Sequence, residues 1–599
     1  MTERIFGIRL FLVLTILILS IRLFSIQIID KTYKKAAEGN FIKKIIDYPY
    51  RGLIYDRYGE LLVYNEPVFD IEILPREAKL EDSVDIKALF DITQEDFDKR
   101  YQKARRFSKN LSSIFYEKLS NERFAKIQDR LIDFEGFSVQ SRITRGYTVN
   151  ALSNALGYVG QVTSQQIGMD TSGYYKSGDN IGVTGIENTY EEYLRGLRGV
   201  RFNKVDVRGV YMGAYENGSF DTLSIPGLDI RLTVDAELQL YAEKLMKDKI
   251  GSVVAIDPTT GEILALVSSP TYDPVLLTGR DYSKNYLDIQ SDTTKPLFNR
   301  PLQAMYPPGS MFKTIQALIA LQDHKIEAKE IIKVDGSLIG DHAPPGPYDV
   351  ERAITKSSNN YFFKVFRRVI QQGIDANPYI DTRIGFENWR IHVLQFGFGQ
   401  NLGVDLPNEK SGFVPSLEFY DKIYGKDRWK FSNIYSLSIG QGELNVTPMQ
   451  MANLGAILAN RGFFYAPHIV KKVGDINNSE LERHFVGVDS AHFQSVLDGM
   501  QALVSVPGSR GYIPGLIFCG KTSTVQNSQG IDHSGFMGFA PRENPKIAIA
   551  VYVENSGWGA RAALSTASLL IEKYITGTVK KVWLEEYVLK GDFEDAKPN

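Results

Sequence analysis

The longest apolar run comes first. Ile5 to Ile29 is mostly hydrophobic, with Arg9 and Arg22 inside it and a charge-free centre from Leu10 to Ile21. At helical rise such a run extends about 37 Å, enough for a hydrocarbon core of about 30 Å. The pattern predicts one membrane-crossing helix whose two arginines reach toward the headgroups. A cleavable leader would end on small residues, and Ser20-Ile21-Arg22-Leu23-Phe24 is bulky, so the helix is expected to remain as an anchor. Arg4 and Arg9 precede the centre while Arg22, Lys31, Lys34 and Lys35 follow it, so the charge count leaves the orientation open. No second long apolar segment follows, and everything beyond residue 30 is expected on one side.

Residues 30–225 have a different texture. Arg51 to Gly59 reads as a turn between two apolar, strand-like stretches. Residues 82–135 carry Lys, Asp and Glu at helical spacing and predict solvated helices. After Gly227 the pattern changes again. Leu228 to Val234 alternates like a strand, Glu237 to Lys247 reads as a helix, and Gly251 to Ile256 pairs with Glu262 to Val267 across an Asp257-Pro258-Thr259-Thr260-Gly261 turn. Lys546 to Glu554 reads as a further strand and Arg561 to Tyr574 as the last long helix. Strands at both ends with helices between them predict an α+β domain, its mainly antiparallel sheet flanked by helices.

Composition narrows the picture. A chain of 599 residues exceeds one core, so two or more domains are expected. The formal net charge of -2 gives no support to a nucleic-acid partner. Cys519 is the single cysteine, which excludes an intrachain disulfide and favours a small buried residue over a catalytic thiol. No histidine precedes His324, which limits the chemistry of the first half.

The informative chemistry lies at Tyr306-Pro307-Pro308-Gly309-Ser310-Met311-Phe312-Lys313. Prolines and glycine end one segment and Ser310 is expected to open a helix. Of the 11 residues from Met311 to Leu321, 8 are apolar, so this helix is expected to be buried nearly all round. Ser310 and Lys313 would share a face. A desolvated lysine loses its proton readily and can then accept one from serine. The bland alternative makes Ser310 an N-cap and Lys313 a surface residue. Two further elements shift that balance: Ser357-Ser358-Asn359, and Lys521-Thr522-Ser523 on an expected edge strand. Each is unremarkable alone. In this order they match the Ser-x-x-Lys, Ser-x-Asn and Lys-Thr-Gly elements of the penicillin-recognising serine enzymes.

The chain resembles class B penicillin-binding proteins, most closely their elongation type. Residues 51–57 (Arg-Gly-Leu-Ile-Tyr-Asp-Arg), 185–187 (Gly-Ile-Glu), 257–265, 439–444 (Ile-Gly-Gln-Gly-Glu-Leu) and 536–541 carry the resemblance beyond the three elements. It implies a cytoplasmic stub and anchor over 1–29, a mixed α/β pedestal of the dimerisation type over 30–225, a penicillin-binding transpeptidase domain over 226–585 and a tail over 586–599. It implies a D,D-transpeptidase that cross-links peptidoglycan stem peptides, with a D,D-carboxypeptidase side activity and β-lactams as inhibitors. Ser310 would be the nucleophile and Lys313 its base. Ser357 would relay a proton to the leaving amine, held by Lys313 and Lys521, and Asn359 would bind the substrate amide. Thr522, Ser523 and Thr524 would line the substrate, with the N–H groups of Ser310 and Thr524 as oxyanion hole. The implied partners are a membrane glycan polymerase of the shape, elongation, division and sporulation family and the elongation machinery. The implied location is the inner membrane, single-pass, with the bulk of the chain in the periplasm.

One departure stands out. The third element usually ends in glycine, and here it is Ser523. Lys521 and Ser523 point to the same side of a strand, so Ser523 is expected to crowd the substrate backbone and slow acylation. Some relatives bind zinc near the site. Only Asp341 and His342 hint at ligands, and neither a metal nor a cofactor is expected. A Ser-His-Asp hydrolase would want Gly-x-Ser-x-Gly and a zinc peptidase His-Glu-x-x-His, and both are absent. A β-lactamase would need no anchor. A penicillin-sensing receptor would need a signalling domain beyond the membrane, where only Met1 to Arg4 are expected. The septal form of the transpeptidase remains the nearest alternative.

Overall fold

The computed structural model describes residues 2–25, 42–79, 83–205, 211–478, 482–527 and 530–593. Thr2–Phe24 is one helix, and its stretch Phe6–Phe24 is the one helix among the described residues long and apolar enough to cross a membrane. Ile26 to Ile29 of the expected span, and Lys31, Lys34 and Lys35, lie outside the described residues.

The chain divides into two units. One comprises residues 1–52 and 192–228. Its sheet has three antiparallel strands in the order Ile42–Asp47, Gly199–Val205, Tyr211–Ala214. The other comprises residues 53–191 and 229–599.

In that second unit the expected turn forms between strands Ile54–Tyr55 and Leu61–Ile73. Asp56 builds it, its carboxylate accepting the N–H groups of Tyr58 and Glu60 at 2.8 Å each. Leu61–Ile73 pairs with Ser113–Ser120 on one side and Phe137–Tyr147 on the other. The helices expected over 82–135 are present as Ser83–Phe90, Gln94–Phe107 and Asn121–Leu131, but they are not solvated all round. Ile86, Phe90, Phe97, Tyr101, Ile127 and Leu131 are buried in one core with Ile71 and Phe115. The abundant charges occupy the outer faces, and a strand that the charge pattern concealed runs between the second and third helix. Strands 54–55 and 61–73 share their sheet with Ile230–Leu232 and Val470–Val473, so residues on both sides of the expected 225 boundary are joined by strand pairing.

The rest of this unit is built on a five-stranded antiparallel sheet. Its order is Ile263–Ser269, Gly251–Ile256, Ile547–Val553, His533–Ala540, Cys519–Val525. The first three strands are buried at every position, which explains their continuous apolar runs. Ile547, Ile549 and Val551 face a core shared with helices Ala236–Met246, Ala563–Thr576 and Val582–Lys590. The intervening residues face Pro448–Asn460, where Gly455 lies against Ala548. Val588 and Phe593 are buried in the first core, so residues 586–593 belong to it rather than to a tail.

Candidate active site

The edge strand of that sheet and three short helical segments meet at one place. Prolines end the preceding segment, and Gly309–Phe312 forms a 3-10 turn that runs into the helix Lys313–Gln322. Ser310 therefore lies on the 3-10 turn ahead of the helix instead of opening it. Lys313 follows Ser310 by three residues, about one turn further along. Gly309 has φ +54°, and a Cβ there would come within 2.3 Å of the Ser523 hydroxyl oxygen. Glycine suits this turn, because a side chain would be strained at that φ and would displace the Ser523 hydroxyl. The helix is buried from Lys313 through Leu321. Lys313 is fully buried, which excludes the surface-lysine reading, and Ser310 makes no cap, because the helix lacks a side-chain cap bond.

The second element is held between two helices. Val350–Lys356 ends at Ser357, which adopts the left-handed conformation at φ 56°, ψ 40°. For a residue with a side chain that conformation is strained, and such strain gathers at functional sites. Asn359–Ile370 follows, N-capped by Ser358, whose hydroxyl accepts the Tyr361 N–H at 3.2 Å. Both readings of the motif are thus true of different residues. Ser358 caps a helix, while Ser357 and Asn359 reach Lys313.

The Lys313 ammonium nitrogen lies 2.6 Å from the Ser357 carbonyl, 2.6 Å from Asn359 Oδ1 and 3.2 Å from Ser357 Oγ. Burial, reinforced by the charge of Lys521 and opposed by Asp341, holds the Lys313 pKa well below the ordinary lysine value. A neutral amine has two N–H donors, which the two short contacts occupy. Its lone pair is left to accept from a serine hydroxyl. Lys521 completes the cluster. Its Nζ donates to Ser357 Oγ at 2.9 Å, and burial lowers its pKa to about 7. Ser357 Oγ thus bridges two lysines.

The other side chains of the Cys519–Val525 strand divide by face. Cys519 is buried with its thiol pushed up to about 12, so it stays protonated and inert. Lys521 and Ser523 project to one side, as expected, but that side is the protein interior. Ser523 is 1% exposed and its hydroxyl donates to the Pro308 carbonyl at 2.9 Å. The expected crowding of the substrate backbone is therefore not found. The extra atoms fill the space under Gly309 and fasten the Gly309–Phe312 turn to the strand. Thr522 and Thr524 are part-exposed on the other face, and Thr524 Oγ1 accepts the Gly559 N–H at 3.1 Å.

Asp341 has a role that the sequence did not reveal. Its carboxylate accepts the Asn360 N–H at 2.8 Å, the Ser358 hydroxyl at 2.9 Å and the Ala343 N–H at 3.0 Å. Burial would raise its pKa, but these donors, with the Asn359 N–H, outweigh it and hold the carboxyl below its usual value. Beside it, the Gly340 carbonyl accepts from Asn359 Nδ2 at 2.6 Å. Asp341 thus fixes the segment that presents Ser357 and Asn359. Among the described residues no cluster of three or more His, Cys, Asp or Glu could hold a metal ion.

Residues 251–572 match the family model of the penicillin binding protein transpeptidase domain, and residues 46–232 match the penicillin-binding protein dimerisation domain. Peptidoglycan D,D-transpeptidase MrdA of Acinetobacter baumannii is 30% identical over 593 residues, covering 92% of this chain and 84% of the relative. Its Haemophilus influenzae namesake is 28% identical, covering 94% and 90%. A solved complex between PBP2 and MreC from Helicobacter pylori matches with a TM-score of 0.73 at 26% identity, over 90% of this chain and 99% of that one.

Proposed function

Because the chain belongs to the penicillin-binding protein transpeptidase family, we propose that it is a serine D,D-transpeptidase that cross-links peptidoglycan during cell-wall elongation. The observation that carries the mechanism is Lys313, fully buried, depressed in pKa and one turn from Ser310. Ser310 Oγ attacks the carbonyl carbon of the penultimate D-alanine in a stem peptide, and Lys313 takes the hydroxyl proton. The oxyanion meets the N–H groups of Ser310 and Thr524. The carbon–nitrogen bond to the terminal D-alanine then breaks. Ser357 hands that amine a proton and is reprotonated through Lys313. An amine of a second stem peptide attacks the ester, its proton returns to Ser310, and the cross-link is released. Lys521, part-protonated near neutrality, and Thr522 hold the substrate carboxylate that β-lactams imitate. Asn359 binds the substrate amide.

The helix Phe6–Phe24 anchors the chain in the inner membrane, with the bulk of it in the periplasm. Residues 30–225 serve as pedestal and 226 onward as the transpeptidase. The pedestal docks a glycan polymerase of the shape, elongation, division and sporulation family, and the solved complex of a similar PBP2 with MreC supports a partner of that kind as well. Replacing residues 30–225 should abolish co-purification with that polymerase. An unaffected pull-down would assign the contact elsewhere. The activity itself is tested by supplying nascent glycan with pentapeptide stems and analysing the products. Cross-linked dimers should appear with one D-alanine released per link, and penicillin should abolish both. D-alanine release without dimers would make the chain a carboxypeptidase.

A further inference from the structure

Among the described residues, two side-chain contacts join the Lys521 side of the site to the Ser357–Asn360 side. On the floor Lys521 Nζ meets Ser357 Oγ at 2.9 Å. The second contact joins residues that the mechanism does not use. His342 lies in the loop between strands Ile332–Val334 and Gly346–Tyr348. That loop is tied to the Ser357–Asn360 wall through Gly340 and Asp341. Trp558 lies in the loop after strand Ile547–Val553, tied to the opposite wall. The Trp558 carbonyl accepts the Ser534 hydroxyl at 3.0 Å, and Gly559 donates to Thr524 Oγ1 at 3.1 Å. A Cβ on Gly559 would come within 2.3 Å of the Ser523 carbonyl oxygen, so its backbone lies directly on the Lys521 strand. Between these anchored loops the His342 and Trp558 rings meet, with centroids 4.7 Å apart and planes inclined by 50°. His342 is exposed and Trp558 part-buried. The Lys521 strand, Gly559, Trp558, His342, Asn359 and Ser357 thus form a closed ring of contacts, and Lys313, three residues after Ser310, bonds to its Ser357 and Asn359 members.

We propose that the His342–Trp558 pair is a displaceable bridge across the cleft that sets how bulky an acyl donor the site admits. The proposal rests on the transpeptidase reading. The backbones on both sides are pinned by hydrogen bonds, so the bridge parts by side-chain rotation. A slim donor passes with the pair intact, whereas a donor with a large group beside its scissile carbonyl must separate the rings. An aromatic contact of this kind resists separation by roughly two- to tenfold in population. The bridge therefore taxes bulky donors selectively, and removal of either ring removes the whole tax.

The test compares acylation of the full-length protein by 6-aminopenicillanic acid, which has no acyl side chain, and by piperacillin, whose side chain is large. The proteins are wild type, His342→Ala, Trp558→Ala and the double variant. Each single variant should accelerate piperacillin about fivefold and leave 6-aminopenicillanic acid within twofold. The double variant should gain no more than either single one, because one contact is lost in all three. Trp558→Phe, which keeps a ring, should stay near wild type. With 5-fluorotryptophan incorporated, the Trp558 fluorine signal should shift in His342→Ala and on piperacillin acylation, but not on acylation by the small penicillin. Unchanged rate ratios in the single variants would overturn the proposal. So would a selective loss of piperacillin acylation in Trp558→Ala alone, which would make Trp558 a wall that grips the ligand. Mass spectrometry separates the two levels of the argument. An adduct on Ser310 with unchanged ratios removes the bridge and keeps the transpeptidase, whereas no adduct in any of the proteins removes both.

Discussion

Ser523 offers a sharp test, because sequence and structure lead to opposite expectations for it. A glycine at this position would be expected to free the substrate path and speed acylation. In the folded chain the Ser523 side chain is 1% exposed and donates to Pro308, two residues before the nucleophile, at 2.9 Å. Ser523→Ala removes one buried hydrogen bond, worth about 1 kcal/mol net. Ser523→Gly removes the Cβ as well and adds the backbone freedom of a strand glycine, about another 0.5–1 kcal/mol. The domain should therefore lose about 1 kcal/mol in the first variant and about 2 kcal/mol in the second, lowering its thermal midpoint by a few degrees. If half to all of that loss falls on the productive position of the Ser310 turn, acylation slows by roughly three- to thirtyfold in the glycine variant. Stopped-flow acylation with one penicillin, alongside thermal unfolding, measures both effects. A glycine variant that acylates faster than wild type with unchanged stability would refute the reasoning, since it would put the side chain against the ligand.

Other consequences follow from the charges. Burial lowers the Lys521 pKa to about 7, and in the proposed mechanism its protonated form holds the substrate carboxylate. Acylation efficiency should therefore fall as pH rises through about 7, and Lys521→Arg, which stays protonated, should lose that limb even though its maximum is lower. In the proposed mechanism Lys313, depressed by burial, acts in its neutral form, so Lys313→Arg should lower acylation by at least a thousandfold in the same assay. Asp341 is held below its ordinary pKa, so its stabilising effect is present above the unfolded carboxylate value of about 4 and is lost as pH falls through the folded value. Asp341→Asn should slow acylation roughly tenfold and flatten the pH dependence of stability on the acid side, as equilibrium unfolding between pH 3 and 7 would show.

Much of the molecule was legible because local pattern and tertiary role coincide. The strands Gly251–Ile256 and Ile547–Val553 are buried on both faces, so their apolar runs announced them. Ser310, Lys313, Ser357, Asn359 and Lys521 were legible through the three short elements that the chain shares with the penicillin-recognising serine enzymes. The structure links the last four in one chain of hydrogen bonds through Lys313 and Ser357, with Ser310 three residues before Lys313. What escaped depends on contacts far apart in sequence. Strand alternation put Lys521 and Ser523 on one side correctly, but it cannot say that this side is interior, which only the packing of Gly309 against Ser523 decides. Charge density at 82–135 hid a buried face, because a helix needs only one apolar stripe to dock. Asp341 gave no local signal, since its partners, Ser358 and Asn360, come 17 and 19 residues later. Trp558 and His342 are 216 positions apart and meet only because each loop is tied to a different catalytic element.

The central claim is that Ser310 is the acylated nucleophile. Its most direct test is the intact mass of the purified protein after brief exposure to benzylpenicillin, followed by peptide mapping. Wild type should gain the mass of one penicillin, carried by the peptide that contains Ser310, and Ser310→Ala should gain none while keeping its thermal midpoint. An adduct that persists on Ser310→Ala, or that maps to another peptide in wild type, would contradict the account.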